Sequence, residues 1–265
     1  MTRQISKHAG AASRDDDIAK AIEVFARGFA FTRSFTHPYL AERVGLVWVV
    51  RDAPRKNPRD YRKEEWIAHG VGAAEVDRLA RSHTRGRFAV CAIRGADEPD
   101  APLRAAYKSL GYRLQTTEPF MIHRLKRIPR FACPVDVQRV TTRDLAERVA
   151  KAAESRQMLD EHVGRDDAPL RQYVALDGDA VVGWVRSIVV GDRTWVSNMH
   201  VLPTYRRRGI GRAMLAKLLR DDRDHGSRAS VLLASHTGAK LYPVVGYEFI
   251  GELLLFTPRR VPTRR

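Results

Sequence analysis

Val201-Leu202-Pro203-Thr204-Tyr205-Arg206-Arg207-Arg208-Gly209-Ile210-Gly211-Arg212-Ala213 reads as the end of a strand, a tight basic loop and the first turn of a helix. The strand signal is the run Thr194 to Leu202. The helix signal is Gly211 to Asp221, with Met214, Leu215, Leu218 and Leu219 on one face. A helix start leaves backbone N–H groups without intrahelical partners and carries the positive end of the macrodipole. Gly209 and Gly211 let that backbone approach an anion with no Cβ in the way. Arg206, Arg207, Arg208 and Arg212 surround the turn with cations suited to phosphate oxygens. A Gly-Ile-Gly turn that merely caps a helix is the competing reading, and the position between strand and helix weighs against it.

Outward from this loop the second half is regular. Val135 to Val140 predicts a strand, and Thr142 to Glu154 a helix with Thr142 as N-cap. Gln172 to Leu176 and Ala180 to Val190 predict a hairpin about Asp177-Gly178-Asp179, because Asp-Gly favours tight turns. Ala229 to Ala234 reads as a buried strand, Gly238 to Val245 as a short helix and Phe249 to Phe256 as a final strand. This order predicts a mixed, mostly antiparallel α/β sheet flanked by helices.

The first half is less regular. Residues 1–13 read as a disordered tail, and Ile18 to Phe29 as an amphipathic helix. Leu46 to Val50 has strand character. The charged stretch Arg51 to Trp66, with Pro54 and Pro58, reads as a surface loop. A helix over Ala74 to Ser82, a strand over Phe88 to Ile93, a helix over Pro102 to Leu110 stopped by Gly111 and a strand over Glu118 to Leu125 complete it. Lys126 to Pro134 is the linker candidate, which sets domains at 14–127 and 134–258. One internal similarity crosses that boundary: Tyr107 to Gly111-Tyr112 lines up with Tyr242 to Gly246-Tyr247 at a constant offset (242 − 107 = 135, 246 − 111 = 135). With the matching order of elements it favours a diverged tandem duplication.

Composition narrows the functional classes. In 265 residues, 44% are hydrophobic and 29% charged, the balance of a globular protein with a sizeable core. No run approaches the roughly 20 apolar residues that a membrane helix needs. The polar N-terminus, with Asp15-Asp16-Asp17, lacks the apolar core of a signal peptide. Two cysteines, Cys91 and Cys133, are too few for a disulfide framework. A cytoplasmic location is the expectation. The net charge of +16 points to polyanions. Nine of the 47 cations are lysines and the arginines are spread along the chain, so composition accounts for the charge better than a nucleic-acid surface does.

The run Val201 to Ala213 resembles the signature segment of the GNAT superfamily of N-acetyltransferases, Gln/Arg-x-x-Gly-x-Gly/Ala after a Val-x-Pro strand end. The resemblance covers roughly residues 135 to 257. It implies a GNAT fold and acetyl-coenzyme A as co-substrate, its pyrophosphate held by Arg206, Arg207, Arg208, Gly209, Ile210, Gly211, Arg212 and Ala213, chiefly through backbone amides. It also implies that the preceding strand splays from its neighbour, with pantetheine in the gap and Met199 and Val201 offering backbone contacts. Between Val50 and Phe88 no Arg-x-x-Gly-x-Gly occurs, so a second GNAT-like half would be degenerate.

Acetyl transfer from a thioester to an amine has three requirements. An alkyl ammonium of pKa about 10.4 must lose a proton to a base, the oxyanion needs donors, and the thiolate benefits from an acid. The resemblance assigns the oxyanion to the Met199 backbone N–H and the acid to Tyr242; a core tyrosine beside Tyr247 is the alternative. The glutamate that family members often place early on the splayed strand has no counterpart near Trp195. His200, with an ordinary pKa near 6.5, is the base candidate, against a packed, hydrogen-bonded histidine. No histidine has metal-ligand spacing with acidic or cysteine partners, and none is assigned to a metal.

The leading expectation is therefore an acetyl-coenzyme A-dependent N-acetyltransferase acting on a primary amine of a small molecule or peptide. The alternative is a non-catalytic GNAT-fold module, regulatory or nucleic-acid-binding, that binds coenzyme A without turnover. Asp160, Glu161, Asp166 and Asp167 fall in the expected substrate-facing segment and point to a cationic amine, or simply to a solvated acidic loop.

Overall fold

The structure, a computed structural model, describes residues 2–259, with side chains from residue 17 onward. The chain divides into two compact units, residues 1–120 with 249–265, and residues 121–248.

The first unit begins with α1 (Thr2–Arg33), followed by β1 (Tyr39–Val44), β2 (Val47–Asp52), β3 (Glu64–Ala68), α2 (Ala73–His83), β4 (Phe88–Gly95), α3 (Ala101–Ser109) and β5 (Tyr112–His123). Ile18, Ala21, Ile22 and Phe25 recur at helical spacing and are buried. The tail expected at residues 2–13 is instead helical backbone continuous with that segment. Alanines such as Ala11 and Ala12 favour extension of an existing helix, since each added residue brings a hydrogen bond without a new nucleus. Met1 lies outside the described residues.

The surface loop expected over Arg51 to Trp66 is also corrected at its end. Glu64–Ala68 is a strand buried along its whole length. Burial is tolerated because both carboxylates are satisfied. Glu64 accepts from the Trp66 indole at 3.2 Å and the Arg85 backbone N–H at 2.9 Å, and Glu65 from Arg33 at 2.8 Å and the Tyr39 hydroxyl at 2.6 Å. Sequence pattern registers the charges but not the partners that neutralise them.

The second unit holds β6 (Asp136–Arg139), α4 (Arg143–Ala152), β7 (Leu170–Asp177), β8 (Ala180–Val190), β9 (Arg193–Val201), α5 (Ile210–Asp224), β10 (Ala229–Leu233) and α6 (Tyr242–Val245). Its strands lie in the order β10-β9-β8-β7-β6. Thr142 caps α4 by accepting from Leu145 N–H at 3.3 Å. Asp177 pairs with Ala180, so the two-residue turn is Gly178-Asp179, one residue beyond the expected Asp-Gly pair, with Gly178 supplying the positive φ of 55°. One face of the sheet is covered by α5, whose Met214, Leu215, Leu218 and Leu219 are fully buried among Tyr173, Val185 and Val196. Truncating such a leucine to alanine costs about 2–5 kcal/mol. The presumed linker is part of this core: Ile128, Phe131 and Cys133 pack against it, and Arg220 donates to the Pro129 carbonyl at 3.1 Å.

The last strand, β11 (Glu248–Pro258), departs from the expected boundary. Residues 249–258 lie in the first unit, because Gly251 to Phe256 pair antiparallel with Gly95 to Val90 of β4. The first unit thus has the strand order β1-β2-β3-β4-β11-β5. β3 with β4 and β9 with β10 pair parallel, and β1–β2, β2–β3, β4–β11, β6–β7, β7–β8 and β8–β9 pair antiparallel. The molecule is a mixed α/β protein whose sheet is flanked by helices.

Candidate active site

The parallel pair β9–β10 is where the second unit opens. Arg193 to Trp195 pair with Ala229 to Val231, and beyond that point β9 continues to Val201 paired only with β8. A cleft of about 740 Å³ lies at this divergence. Met199, His200 and Val201 line it from β9, Arg206 to Arg212 from the loop and helix start, Ser235, Thr237 and Gly238 from the segment after β10, and Leu241 and Tyr242 from the start of α6.

At the loop, Arg207 has φ +62° and Gly209, the N-cap of α5, φ +83°. Two left-handed residues in a short turn aim successive N–H groups into one concavity. A Cβ at Gly209 would crowd the Arg212 guanidinium at 3.0 Å, and one at Gly211 would meet the Met199 methyl at 3.0 Å and Leu241 at 3.2 Å. The floor of the cradle is therefore bare backbone at the positive end of a helix of 15 residues. The arginines are partly engaged elsewhere. Arg206 donates to the Val201 carbonyl at 2.9 Å, Arg208 lies 5.1 Å from the Tyr205 ring centre, and Arg212 lies 5.1 Å from that of Phe131. Ala213, expected with this group, stands behind the cleft, 7% exposed, its N–H bonded to the Gly209 carbonyl at 3.1 Å. Backbone amides with flanking cations fit a diphosphate, and the divergent strands fit an extended chain laid beside β9.

A β-bulge sets the side chains of β9. Trp184 pairs with His200 but Arg186 pairs with Ser197, so β9 spends three steps where β8 spends two. The extra residue is at Asn198, φ +52°, and Asn198 and Met199 lack a partner in the β8 register. Met199 and Val201 pack against the α5 core, whereas His200 lies on the other face, its ring 4.6 Å from that of Trp184 at 20°. Burial and then the Arg206 cation lower the His200 pKa below the ordinary 6.5, which leaves the imidazole neutral near pH 7.

Tyr242 is 7% exposed, edge-on to Tyr247 at 5.7 Å, and close to Gly238, whose Cβ would lie 3.6 Å from the Tyr242 hydroxyl. Burial pushes the phenol up to about 12, so it is a proton donor at any physiological pH. His200 and Tyr242 are both among the residues that line the cleft with the cradle, although the His200 ring turns to the other face of the sheet.

Sequence reading missed the polar layer on the face of the sheet that α5 leaves open. Gln157, 3% exposed, accepts from Asn198 at 2.5 Å, donates to the Ser155 hydroxyl at 2.8 Å, and offers its carbonyl to Arg186 at 3.2 Å. A hairpin register read by counting would pair Arg186 with Ser197 but could not anticipate the bulge. The four predicted carboxylates are solvated: Asp166 pairs with Arg139 at 2.8 Å, Asp167 with Arg165 at 2.7 Å, Glu161 with His162 at 3.6 Å and Asp160 with Arg156 at 3.9 Å. Among the described residues no group of three or more His, Cys, Asp or Glu side chains could hold a metal ion. Among them, too, no helix is long and apolar enough to cross a membrane.

Residues 138–247 match the model of the Acetyltransferase (GNAT) family. No curated protein matches the chain. Among solved structures, a GCN5-related N-acetyltransferase from Kribbella flavida superposes with a TM-score of 0.62 at 14% identity, over 91% of this chain and 96% of that one. A GCN5-related N-acetyltransferase from Sphaerobacter thermophilus gives 0.54 at 18% identity, covering 80% and 76%. A tandem GNAT protein from the clavulanic acid biosynthesis pathway gives 0.52 at 16% identity, covering 84% and 82%. The fold of this chain is that of the GNAT-superfamily acetyltransferases.

Proposed function

We propose that the second unit is an acetyl-coenzyme A-dependent N-acetyltransferase. The observation that supports this reading is the coincidence, in one cleft, of a strand divergence and a bare-backbone anion cradle, with His200 and Tyr242 among the lining residues. Acetyl-coenzyme A would lie with its pyrophosphate over Gly209 to Arg212 and its pantetheine beside Met199 to Val201. The neutral His200 imidazole takes the proton from the acceptor ammonium. The amine nitrogen then forms its bond to the acetyl carbon, and the carbonyl electron pair moves to oxygen, which accepts from the Met199 backbone N–H next to the bulge. As the carbonyl re-forms and the carbon–sulfur bond breaks, the nitrogen loses its second proton to solvent, and Tyr242 gives its proton to the thiolate and recovers one from solvent. Ammonium and thioester thus become amide, thiol and one released proton, held at the end by His200 and returned to solvent.

The first unit fits a diverged copy that has lost this chemistry. His69-Gly70-Val71-Gly72-Ala73-Ala74 has the spacing of Arg206 to Gly211, and Gly72 caps α2 as Gly209 caps α5. Gly111 and Gly246 both take positive φ, of 82° and 106°. Yet β3 pairs with β4 from Glu64 through Ala68, and His69 then bonds the Ile93 carbonyl at 2.9 Å, so no gap opens between the strands. Tyr107, the counterpart of Tyr242, is fully buried and stacked on Phe256 at 4.5 Å.

Calorimetric titration with coenzyme A, together with thiol release from acetyl-coenzyme A across a panel of primary amines, tests the assignment. Saturable one-site binding with amine-dependent thiol release is expected. Binding without release by any amine would leave a coenzyme A-binding module, and no binding would refute the proposal.

A further inference from the structure

The phenol of Tyr242 is aimed by the backbone that carries it. Burial is the one cause that shifts its titration, and no hydrogen bond among the described residues holds its oxygen. That backbone is α6, a single turn of four residues with Tyr242 at its start and Val245 at its end. One turn fixes several torsions for little hydrogen bonding, so such a helix does not persist without tertiary support. Its last carbonyls also need partners from outside. Tyr247 N–H bonds the Tyr242 carbonyl at 3.1 Å, and Gly246 N–H the Pro243 carbonyl at 3.0 Å. The Val245 carbonyl has a different partner, the imidazole of His123.

His123, 2% exposed, ties this carbonyl to a strained turn just after β5. The Leu125 backbone N–H donates to its Nδ1 at 2.9 Å, which fixes Nδ1 as the acceptor. In the neutral ring Nε2 then carries the proton and donates to the Val245 carbonyl at 3.2 Å. Burial holds the ring below the ordinary 6.5, against the opposing pull of the Val245 carbonyl, the Glu248 carboxylate and the Arg127 carbonyl, so this tautomer prevails near pH 7. Leu125 takes φ +56°, which a bulky residue adopts only where its surroundings hold it. The fit at the end of α6 is equally close: Gly246 has φ +106°, and a Cβ there would stand 2.8 Å from His123 Nε2. The His123 ring meets Tyr247 edge-on at 5.3 Å, Tyr247 meets Tyr242 in the same manner at 5.7 Å, and the Tyr247 hydroxyl bonds Ser230 at 2.9 Å.

The corresponding turn of the first unit has no such clamp. A Cβ at Gly111 would have nothing within 4 Å, and α3 before it runs for nine residues. Tyr107 is fixed instead by stacking on Phe256. The clamp thus accompanies the tyrosine that lines a cleft.

We infer that His123 is the positioning residue of Tyr242, holding the one-turn helix α6 by the Val245 carbonyl so that the phenol faces the cleft. The consequence for catalysis rests on the acetyltransferase reading, whereas the geometry of the clamp does not.

The test uses two substitutions in the full-length protein. The amide nitrogen of glutamine reaches the place of Nε2, and that of asparagine only the place of Nδ1, so His123→Gln keeps the bond to Val245 and His123→Asn loses it. With acetyl-coenzyme A and the best amine of the thiol-release panel, H123N should lower kcat by about tenfold to a hundredfold, the cost of a displaced catalytic group. KM for both substrates should hold, and H123Q should recover most of kcat. In a Tyr242→Phe background H123N should cost nothing further, because the group it aims is gone. Equal losses in H123N and H123Q, a loss that persists in Y242F, or full activity in folded H123N each overturn the inference. So does an H123N chain that thermal melts show to be unfolded, since His123 would then hold the core rather than α6. If the unsubstituted protein turns over no amine, the acetyltransferase reading has failed by itself, and a spectrum decides on His123. In protein labelled with fluorotyrosine, the fluorine NMR resonance missing from Y242F should move in H123N and stay in H123Q. A Tyr242 resonance that is unmoved in H123N overturns the clamp.

Discussion

The imidazole of His200 lies flat on the indole of Trp184, ring centres 4.6 Å apart, because β9 contains one residue more than β8 between their pairing and that of Arg186 with Ser197. Were the three steps from Ser197 to His200 regular strand, with no bulge at Asn198, strict alternation would turn His200 toward α5. The bulge thus places the His200 ring on the face opposite α5, while Met199 and Val201 pack against the α5 core.

Replacing His200 by glutamine retains a polar side chain on Trp184 but removes the base. Turnover should fall by about 10²- to 10⁴-fold, with coenzyme A affinity changed little. The pH profile carries a second signature. His200 acts when unprotonated, and its pKa is lowered, so the acid limb of kcat/KM should fall below the ordinary 6.5 and vanish in His200→Gln. An unchanged acid limb in the variant would assign it to another group.

At the cradle, the double substitution Gly209→Val with Gly211→Val should weaken coenzyme A at least about tenfold, which corresponds to about 1.4 kcal/mol. A β-branched residue at φ +83° is strained, and its side chain displaces Arg212. Calorimetry gives the affinity, and a thermal melt verifies folding. Equal affinity in the folded variant would move the phosphate site elsewhere.

Tyr242→Phe leaves the packing against Tyr247 intact and removes one proton. Turnover should drop by about 10²-fold or more, with acetyl-coenzyme A affinity held. Since burial raises the phenol to about 12, the unsubstituted protein should show no alkaline limb from this group below pH 10, within the range a stable assay can reach. Full activity in the variant would return Tyr242 to the core.

Asp222, at the far end of α5 from the cradle, is wholly buried and accepts from Arg171 at 2.8 Å, Ser187 at 2.7 Å and Thr194 at 2.8 Å. Asp222→Ala should destabilise the protein by about 3–5 kcal/mol, because Arg171 is left buried without its counter-charge. Chemical denaturation measures this. A loss under 1 kcal/mol would mean that water reaches Arg171 in the variant.

Much of the second unit is legible from residue order. The Gly178-Asp179 turn, the Thr142 cap, the α5 stripe and the Gly209-x-Gly211 turn are each decided within a few residues, by local sterics and helix or strand periodicity. Sequence therefore determined the strand–loop–helix unit from Arg193 to Asp224. Tertiary structure alone decided what depends on distant partners. Glu64 and Glu65 enter a buried strand because Arg85, Arg33 and Tyr39 meet them, and residues 249–258 join the first unit because β4 offers a free edge. The bulge at Asn198 arises from pairing between two strands, and it brings His200 into line with Trp184 and Arg186. A local pattern carries no information about the registry of a strand that folds back against it, and on this registry the direction of the His200 ring depends.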